Sequence, residues 1–184
     1  MTRQPIPLAA DVEAGLRRLR LSAIRRLAPE VLATAKAQRW PPEELLRVFV
    51  DAEIAARDES NCNNRMSVAR FPIDKTLDEF RLDESSIPRA SNDYLITLEW
   101  IHHAENLCLV GPAGTGKSHY LIGLGRAAVS AGYKVRYFTA VDLVEHLYRA
   151  VADNTVGKAI ETVCRNDLII IDLCRVGDYA ARGR

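Results

Sequence analysis

Eight consecutive residues, GPAGTGKS at positions 111–118, combine glycines, a lysine and a hydroxyl group in the pattern of a phosphate-binding loop. The pattern requires a glycine, four free positions, Gly-Lys, and then Ser or Thr, and each requirement is met here. Glycines allow a backbone conformation that turns N–H groups toward phosphate oxygens, and the start of a following helix favours the same anionic charge. The spacing therefore predicts a site for the phosphates of a nucleoside triphosphate.

Each residue of this loop has a predicted part in the site. Lys117 is expected to contact the β- and γ-phosphates as a mobile cation. The Ser118 hydroxyl is expected to coordinate Mg²⁺, which keeps most of its waters and takes few protein ligands. The alternative is a glycine-rich turn that happens to precede a lysine. The predicted cofactors are ATP and Mg²⁺, and the predicted nucleotide-binding residues are Gly111, Pro112, Ala113, Gly114, Thr115, Gly116, Lys117 and Ser118.

The segments on either side of the loop match the elements that such a site needs. Residues 107–110, with the sequence LCLV, form a short apolar segment that predicts a buried strand. Residues 120–129 are mostly apolar and of helical length. The order of strand, glycine-rich turn and helix would place the beginning of the helix under the phosphates.

A second apolar segment, at residues 168–172, ends in an acid. Its sequence LIIID predicts a buried parallel strand with Asp172 at its carboxyl end. Such a strand would place the carboxylate of Asp172 beside the phosphate loop, where Asp172 and Ser118 would share the Mg²⁺. The alternative is that Asp172 only caps the turn after the strand.

Helical periodicity dominates residues 1–70, which we predict to be an all-helical N-terminal domain. Residues 11–27 predict an amphipathic helix that ends or kinks at Ala28-Pro29, and residues 31–39 predict a second, shorter helix. A third helix is expected to begin at Pro42 and to run to about Asp58, with the polar run at 61–64 interrupting it.

Basic residues on the first predicted helix raise the question of DNA contact. They would neutralise phosphates and give an affinity that depends on salt but not on base sequence. The alternative is a solvated charged face on a helix that packs by its other side, since acids further along the chain offset much of this charge. The arginines are Arg17, Arg18, Arg20, Arg25 and Arg26, and the acids are Asp51, Glu53, Asp58 and Glu59.

Residues 71–91 predict a connector, because their prolines, serines and mixed charges are unfavourable for a long regular element. Two apolar residues within it, Leu77 and Phe80, are expected to anchor it to the domain that follows. Ser91 or Asn92 is expected to cap the next helix, which would end near position 103.

Strands and helices alternate in residues 92–184, which predict an α/β domain. After the loop and its helix come a strand at 134–138, a helix capped by Thr139, a helix at 155–166 and the strand at 168–172. This order predicts a parallel sheet flanked by helices.

The composition is that of a globular protein, with 48% hydrophobic and 27% charged residues in a chain of 184. A net charge of +1 and a pI near 7.7 give no general attraction to nucleic acid or membranes, so any basic surface must be local. The sequence has no signal-peptide core and no apolar run long enough for a membrane span, so we expect a cytoplasmic protein. No metal-ligand spacing occurs among the histidines or among Cys62, Cys108, Cys164 and Cys174, which are typical of a reducing compartment.

Four blocks of the sequence, taken in order, resemble the IstB-like ATP-binding proteins, the helper ATPases of a class of bacterial insertion sequences. That family is close kin to the DnaC-type helicase loaders within the AAA+ ATPases. The resemblance implies an incomplete AAA+ P-loop domain behind the N-terminal helices. The blocks are ARFPIDKTLDEF at 69–80, AENLCLVGPAGTGKSH at 104–119, AGYKVRYFTA at 131–140 and NDLIIID at 166–172.

The resemblance also implies partners. The N-terminal helices would help to bind DNA, the ATPase would assemble on it as a homo-oligomer, and the assembly would deliver DNA target sites to a partner transposase. Two other functions stay open. One is a nucleotide-binding remnant that binds DNA or a protein without hydrolysing ATP, and the other is a helicase loader whose partner is a replicative helicase.

Two departures from the family pattern bear on catalysis. Members usually follow the strand-end Asp with Glu, which acts as general base toward the attacking water, whereas Leu173 follows Asp172 here. Members also continue with further strands, a polar sensor residue and an arginine finger, whereas residues 174–179 do not match and the sequence ends at Arg184. We therefore expect a frameshift or truncation after Asp172, little or no hydrolysis, and a sheet that has a gap or pairs wrongly. We also expect weak stability and aggregation.

Overall fold

The computed structural model of the chain describes residues 7–173. These residues divide into two compact units, the first ending at Asn61 and the second beginning at Cys62. None of the described helices combines the length and apolar character that a membrane crossing needs. In chain order the elements are α1 (Ala10–Arg18), α2 (Ser22–Gln38), α3 (Pro42–Ala69), a 3-10 turn at Leu82–Glu84, α4 (Arg89–Thr97), α5 (Glu99–His102), α6 (Lys117–Ser130), β1 (Val135–Thr139), α7 (Ala140–Ala152), α8 (Val156–Cys164) and β2 (Leu168–Asp172).

The first helix ends earlier than the sequence predicted, and of the two outcomes expected at Ala28-Pro29, an end or a kink, the end was wrong. Arg20 takes a left-handed φ of 57° and closes α1 with two backbone bonds, from Arg20 N to Arg17 O and from Leu21 N to Leu16 O. This is the hydrogen-bond pattern of a Schellman motif, which ends a helix without a glycine when a residue accepts the left-handed conformation. Pro29 lies inside α2, where it removes one N–H donor but does not end the helix.

The third helix begins at Pro42 as predicted but continues without interruption to Ala69. The expected interruption at residues 61–64 was therefore wrong. Asparagine in a helix interior costs less than about 0.7 kcal/mol per residue, a preference that tertiary packing easily overrides. Cys62 and Met66 supply such packing, since both lie against the hydrophobic core of the second unit.

A buried carboxylate closes the beginning of α2. Glu53 is only 6% exposed, and its Oε2 accepts hydrogen bonds from the backbone N–H groups of Ala23 at 3.0 Å and Ile24 at 3.3 Å. Arg57 also donates its Nε–H to Glu53 Oε1 at 3.2 Å. The first turn of a helix leaves N–H groups without acceptors, so Glu53 supplies from α3 the cap that α2 lacks locally. The sequence interpretation had counted Glu53 among the acids that merely offset surface charge.

We expect Glu53→Gln to destabilise the first unit at neutral pH and to have a much smaller effect in acid. Burial opposes the charge of Glu53, but hydrogen bonds from Arg57, Ile24 and Ala23 outweigh it and lower its pKa below the ordinary 4.5. A lowered pKa contributes stability above that ordinary value, and the contribution is lost as the pH falls through the folded-state pKa. Urea unfolding followed by circular dichroism, at pH 7 and at a series of pH values descending from 4.5, measures the difference between variant and wild type.

Glu59→Gln is the matched control, since Glu59 lies on the same helix and is exposed. It should leave the free energy of unfolding nearly unchanged at each of these pH values. An equal loss from the two variants at neutral pH would contradict the capping role of Glu53.

The second unit contains a two-stranded parallel sheet. β1 pairs with β2 in a register that runs from Val135 opposite Leu168 to Thr139 opposite Asp172. Both strands were predicted, and β2 has the predicted bounds. The Thr139 cap is confirmed as well, because its Oγ1 accepts the backbone N–H of Asp142 at 3.0 Å. The register brings the carboxyl ends of both strands to the same edge.

Residues 107–110 do not form the strand that the sequence predicted. They have no strand assignment, and the sheet among the described residues contains only β1 and β2. Leu107 and Leu109 pack against the core, but Val110 is 90% exposed. A strand needs a neighbour for its N–H and C=O groups, and between this segment and β2 lies a cleft instead of a pairing partner. Of the two outcomes expected for the sheet, the structure has the gap.

The helix before this segment also differs from expectation. α4 begins after Pro88 with no side-chain cap, so the predicted capping by Ser91 or Asn92 was wrong. Asn92 instead accepts a hydrogen bond from the Tyr120 hydroxyl at 2.9 Å, which ties α4 to α6. Leu98, with a φ of 62°, separates α4 from the short α5.

The connector packs on α6 through the two predicted anchors, Leu77 and Phe80. A Cβ added at Gly123 would come within 2.9 Å of Leu77 Cδ2, and one added at Gly116 would come within 2.9 Å of Phe80 Cε2. His119 Nε2 also lies 2.9 Å from the carbonyl oxygen of Thr76. The anchoring role of Leu77 and Phe80 is confirmed, and the bare backbone of α6 makes room for it.

Candidate functional site

The 111–118 loop contains two glycines with left-handed backbones. Gly114 has a φ of 89° and Gly116 a φ of 83°, conformations that side chains disfavour. Gly116 immediately precedes α6, whose first backbone bond runs from Tyr120 N to Gly116 O at 2.9 Å. The first N–H groups of α6 therefore have no acceptor within the helix, and a loop at that position is suited to anions.

The space available for a side chain differs between Gly114 and Gly116. A Cβ at Gly114 would meet no atom within 4 Å, so the loop is open there, whereas a Cβ at Gly116 would strike the Phe80 ring. Phe80 in turn packs against His119 at 5.4 Å and Tyr120 at 4.9 Å between ring centroids. The inner end of the loop is fixed by packing, while its outer part, residues 111–115, is exposed.

Lys117 folds back into the loop. Its Nζ donates to the carbonyl oxygen of Pro112 at 2.5 Å and lies 3.5 Å from Thr115 Oγ1. Thr115 Oγ1 donates to the same Pro112 carbonyl at 3.0 Å. The ammonium group thus sits within the curve of the loop, the position from which it could exchange a carbonyl oxygen for phosphate oxygens.

Asp172 lies at the end of β2 with only 6% of its surface exposed. Its Oδ2 accepts a hydrogen bond from the hydroxyl of Tyr137 at 3.0 Å. Asp172 and Lys117 line the same cleft, which has a volume of about 270 Å³ and runs between residues 105–109 and 168–173. The structure therefore brings the predicted cation and the predicted carboxylate to one cavity.

The sequence did not predict that Tyr137 would donate a hydrogen bond to Asp172. The signal was available only through the strand register, which places Tyr137 opposite Ile170 and Thr139, two residues further along, opposite Asp172. Tyr137 also contacts Phe71 of the connector, at 6.2 Å between ring centroids. A strand residue with a hydroxyl near the end of the adjacent strand can orient the carboxylate there.

The donor atoms fit ATP and Mg²⁺. Among residues 7–173 there is no group of three or more His, Cys, Asp or Glu that could hold a metal by itself. The hydroxyl of Ser118 and the carboxylate of Asp172 are hard oxygen donors, which suit Mg²⁺ when phosphates and water supply the remaining ligands. Leu173, which takes the place next to Asp172, is 88% exposed and has no group able to accept a proton.

The cysteines in the described part of the chain form no disulfide. Cys62, Cys108 and Cys164 are free thiols, with Cys108 exposed instead of buried in a strand. Cys174 and the unmatched residues that follow it lie outside the described residues.

The profile of one protein family, the IstB-like ATP binding proteins, matches residues 14–181. The match covers both the helical N-terminal region and the 111–118 loop. The chain belongs to this family. The resemblance that the four sequence blocks indicated is confirmed.

Individual relatives of this IstB-like chain carry matching names. A putative insertion sequence ATP-binding protein of Sinorhizobium fredii is 30% identical over 84% of this chain and 52% of its own length. A putative ATP-binding protein from an insertion sequence of Geobacillus stearothermophilus is 32% identical over 70% of this chain and 52% of its own length. A similar protein of Pseudomonas aeruginosa is 28% identical over 88% of this chain and 62% of its own. The chain thus spans about half the length of the first two relatives.

Proposed function

We propose that this IstB-like chain binds Mg-ATP in the 111–118 loop and acts as a DNA-binding helper of a partner transposase. Its family and its relatives' names support an ATP-binding protein associated with insertion sequences. The observation that carries the nucleotide part is that Lys117 and Asp172 line one cleft at the start of α6. Binding to DNA and to a transposase, and assembly into a homo-oligomer, are the finer parts of the proposal.

The residues of the site have separate tasks in binding. Backbone N–H groups of the loop and of the first turn of α6 bind phosphate oxygens. Lys117 leaves the Pro112 carbonyl and neutralises phosphate charge, while Tyr137 holds the carboxylate of Asp172 in place. Ser118 and Asp172 would hold Mg²⁺, which would supply positive charge to neutralise the bound phosphates.

Leu173 favours a second, related function in which the chain binds ATP without hydrolysing it. An alkyl side chain cannot take a proton from water, so the position after Asp172 offers no general base. In that case ATP acts by stabilising the conformation that binds it, and the stabilising free energy increases with the ratio of ATP concentration to Kd.

Calorimetric titration with Mg-ATP, Mg-ADP and AMP tests the proposal. ATP and ADP are expected to bind, and AMP to bind far more weakly, because its single phosphate cannot span the loop. Phosphate release should stay at background if the chain does not hydrolyse ATP. Equal binding of AMP and ATP would show that the loop does not recognise the phosphate chain. Retention on an immobilised transposase, compared with a replicative helicase, tests the partner.

A further inference from the structure

A second cleft, of about 390 Å³, lies in the second unit and shares no residue with the 111–118 loop. It is formed by β1, the first turns of α7 and the turn that follows α3. We call it the arginine cleft. The lining residues that matter here are Arg70, Arg136, Phe138, Asp142, Glu145 and Arg149.

Arg136 is held at this cleft by a hydrogen bond and a ring contact. One of its guanidinium N–H groups donates to the carbonyl oxygen of Val68 at 2.5 Å, and its Cζ lies 5.2 Å from the ring centroid of Phe138. Phe138 is buried and stacks on the His146 ring, with centroids 6.2 Å apart and planes inclined by 30°. A guanidinium has five N–H donors, so Arg136 retains donors beyond the one given to Val68.

Two positive charges face this cleft without an ion-pair partner. Neither Arg70 nor Arg136 has a carboxylate within salt-bridge distance among residues 7–173. Burial, followed by the positive charge of Arg70, lowers the pKa of Arg136. Both guanidinium groups line the cleft, and an anion bound there would reduce the repulsion between them.

The carboxylates of the cleft already have partners. Asp142 accepts the Thr139 hydroxyl proton at 2.6 Å, and Glu145 pairs with Arg149 at 3.0 Å. Glu145 neutralises Arg149, whereas the hydroxyl leaves the charge of Asp142 in place. Three arginines and two acids therefore give the cleft a formal net charge of +1. The arrangement suits an external oxyanion, which a guanidinium fork binds through two parallel hydrogen bonds.

We infer that the arginine cleft binds a backbone phosphate of nucleic acid through Arg70 and Arg136. This inference rests on the DNA-binding part of the proposed function and names a surface for it outside the N-terminal helices. A phosphate contact of this kind adds affinity without base preference and contributes to the salt dependence of binding. The stacked Arg136, Phe138 and His146 keep the fork in position before the strand arrives.

Fluorescence anisotropy with a labelled random-sequence duplex, over a series of salt concentrations, tests the inference. Arg136→Gln and Arg70→Gln are each expected to weaken DNA binding about tenfold. Each should also reduce the slope of log K against log salt by about one. Mg-ATP binding, measured by calorimetry, should be unchanged in both variants. Arg165→Gln is the control, because it makes the same charge change at an exposed arginine of another element, paired with Glu161.

Arg70→Gln and Arg136→Lys guard against a trivial loss of fold. Arg70 is exposed, so Arg70→Gln should fold normally. Arg136→Lys keeps the positive charge but loses the guanidinium fork, so it should bind DNA almost as weakly as Arg136→Gln. DNA binding by the wild type with the same salt slope in both glutamine variants overturns the inference and leaves the proposed function standing. If the wild type binds Mg-ATP but not DNA, both this inference and the DNA-binding part of the proposed function are overturned. If the wild type binds inorganic phosphate but not DNA, and Arg136→Gln abolishes the phosphate binding, the cleft is a site for free phosphate and the inference is also overturned.

Discussion

Replacing Lys117 by alanine is expected to weaken Mg-ATP binding about ten- to hundredfold. A hydrogen bond to a charged group contributes about 1.5–3 kcal/mol, and each 1.4 kcal/mol corresponds to a factor of about ten in Kd. In the free chain the Lys117 ammonium already lies within the loop, 2.5 Å from the Pro112 carbonyl oxygen, so little rearrangement is needed before it meets phosphate. Isothermal titration calorimetry of the two proteins measures the change.

Lys158→Ala is the control for this prediction. Lys158 lies on α8, is exposed, and its removal changes the net charge by the same amount. It should bind Mg-ATP like the wild type, and both variants should show unchanged circular dichroism. A Lys117→Ala chain that keeps wild-type affinity would remove the 111–118 loop from the nucleotide site.

Replacing Gly125 by alanine is expected to destabilise the second unit by about 1–3 kcal/mol, although alanine is the better helix former. Gly125 lies inside α6, and a Cβ there would come within 2.6 Å of Ile170 Cδ1 and 2.8 Å of the Phe71 ring. Overpacking of a filled core costs this much and outweighs the gain of about 0.5–1 kcal/mol from replacing a helical glycine. Urea unfolding followed by circular dichroism gives the free energy.

The same substitution at Gly157 provides the comparison. Gly157 is in α8, and a Cβ there would meet nothing within 4 Å, so Gly157→Ala should stabilise the chain slightly. Adding Ile170→Val to Gly125→Ala removes the nearest atom, and the pair should therefore lose less stability than the sum of the single variants. Additive losses would mean that the contact between α6 and β2 does not limit the size of residue 125.

Local sequence signals were sufficient for the elements at the carboxyl end of the described chain. Four branched apolar residues followed by Asp172 predicted β2 with its bounds, and Thr139 predicted the start of α7. These signals work because a strand run and a helix cap each depend on a few neighbouring residues. The anchoring of the connector was predictable for a similar reason, since Leu77 and Phe80 are isolated apolar residues in a polar stretch.

Contacts between distant residues account for what the sequence did not reveal. The cap that Glu53 gives to Ala23 spans 30 residues, and the hydrogen bond from Tyr137 to Asp172 spans 35. Neither follows from spacing along the chain, because both depend on how helices and strands pack. The predicted strand at 107–110 failed for the converse reason. Its composition was suitable, but a strand exists only through a neighbour.

Helix α6 follows the nucleotide loop, and the glycines at its N-cap and in its interior leave room for residues of the connector. Phe71 packs at Gly125, Leu77 at Gly123 and Phe80 at Gly116, so the three contacts lie at different places around the helix and its beginning. Residues 71–80 therefore support the helix that follows the loop, although they precede the loop in the sequence. A recombinant fragment that starts after residue 80 would expose the surfaces at these three glycines to water. The smallest fragment of the ATP-binding region that folds on its own must therefore begin before Phe71.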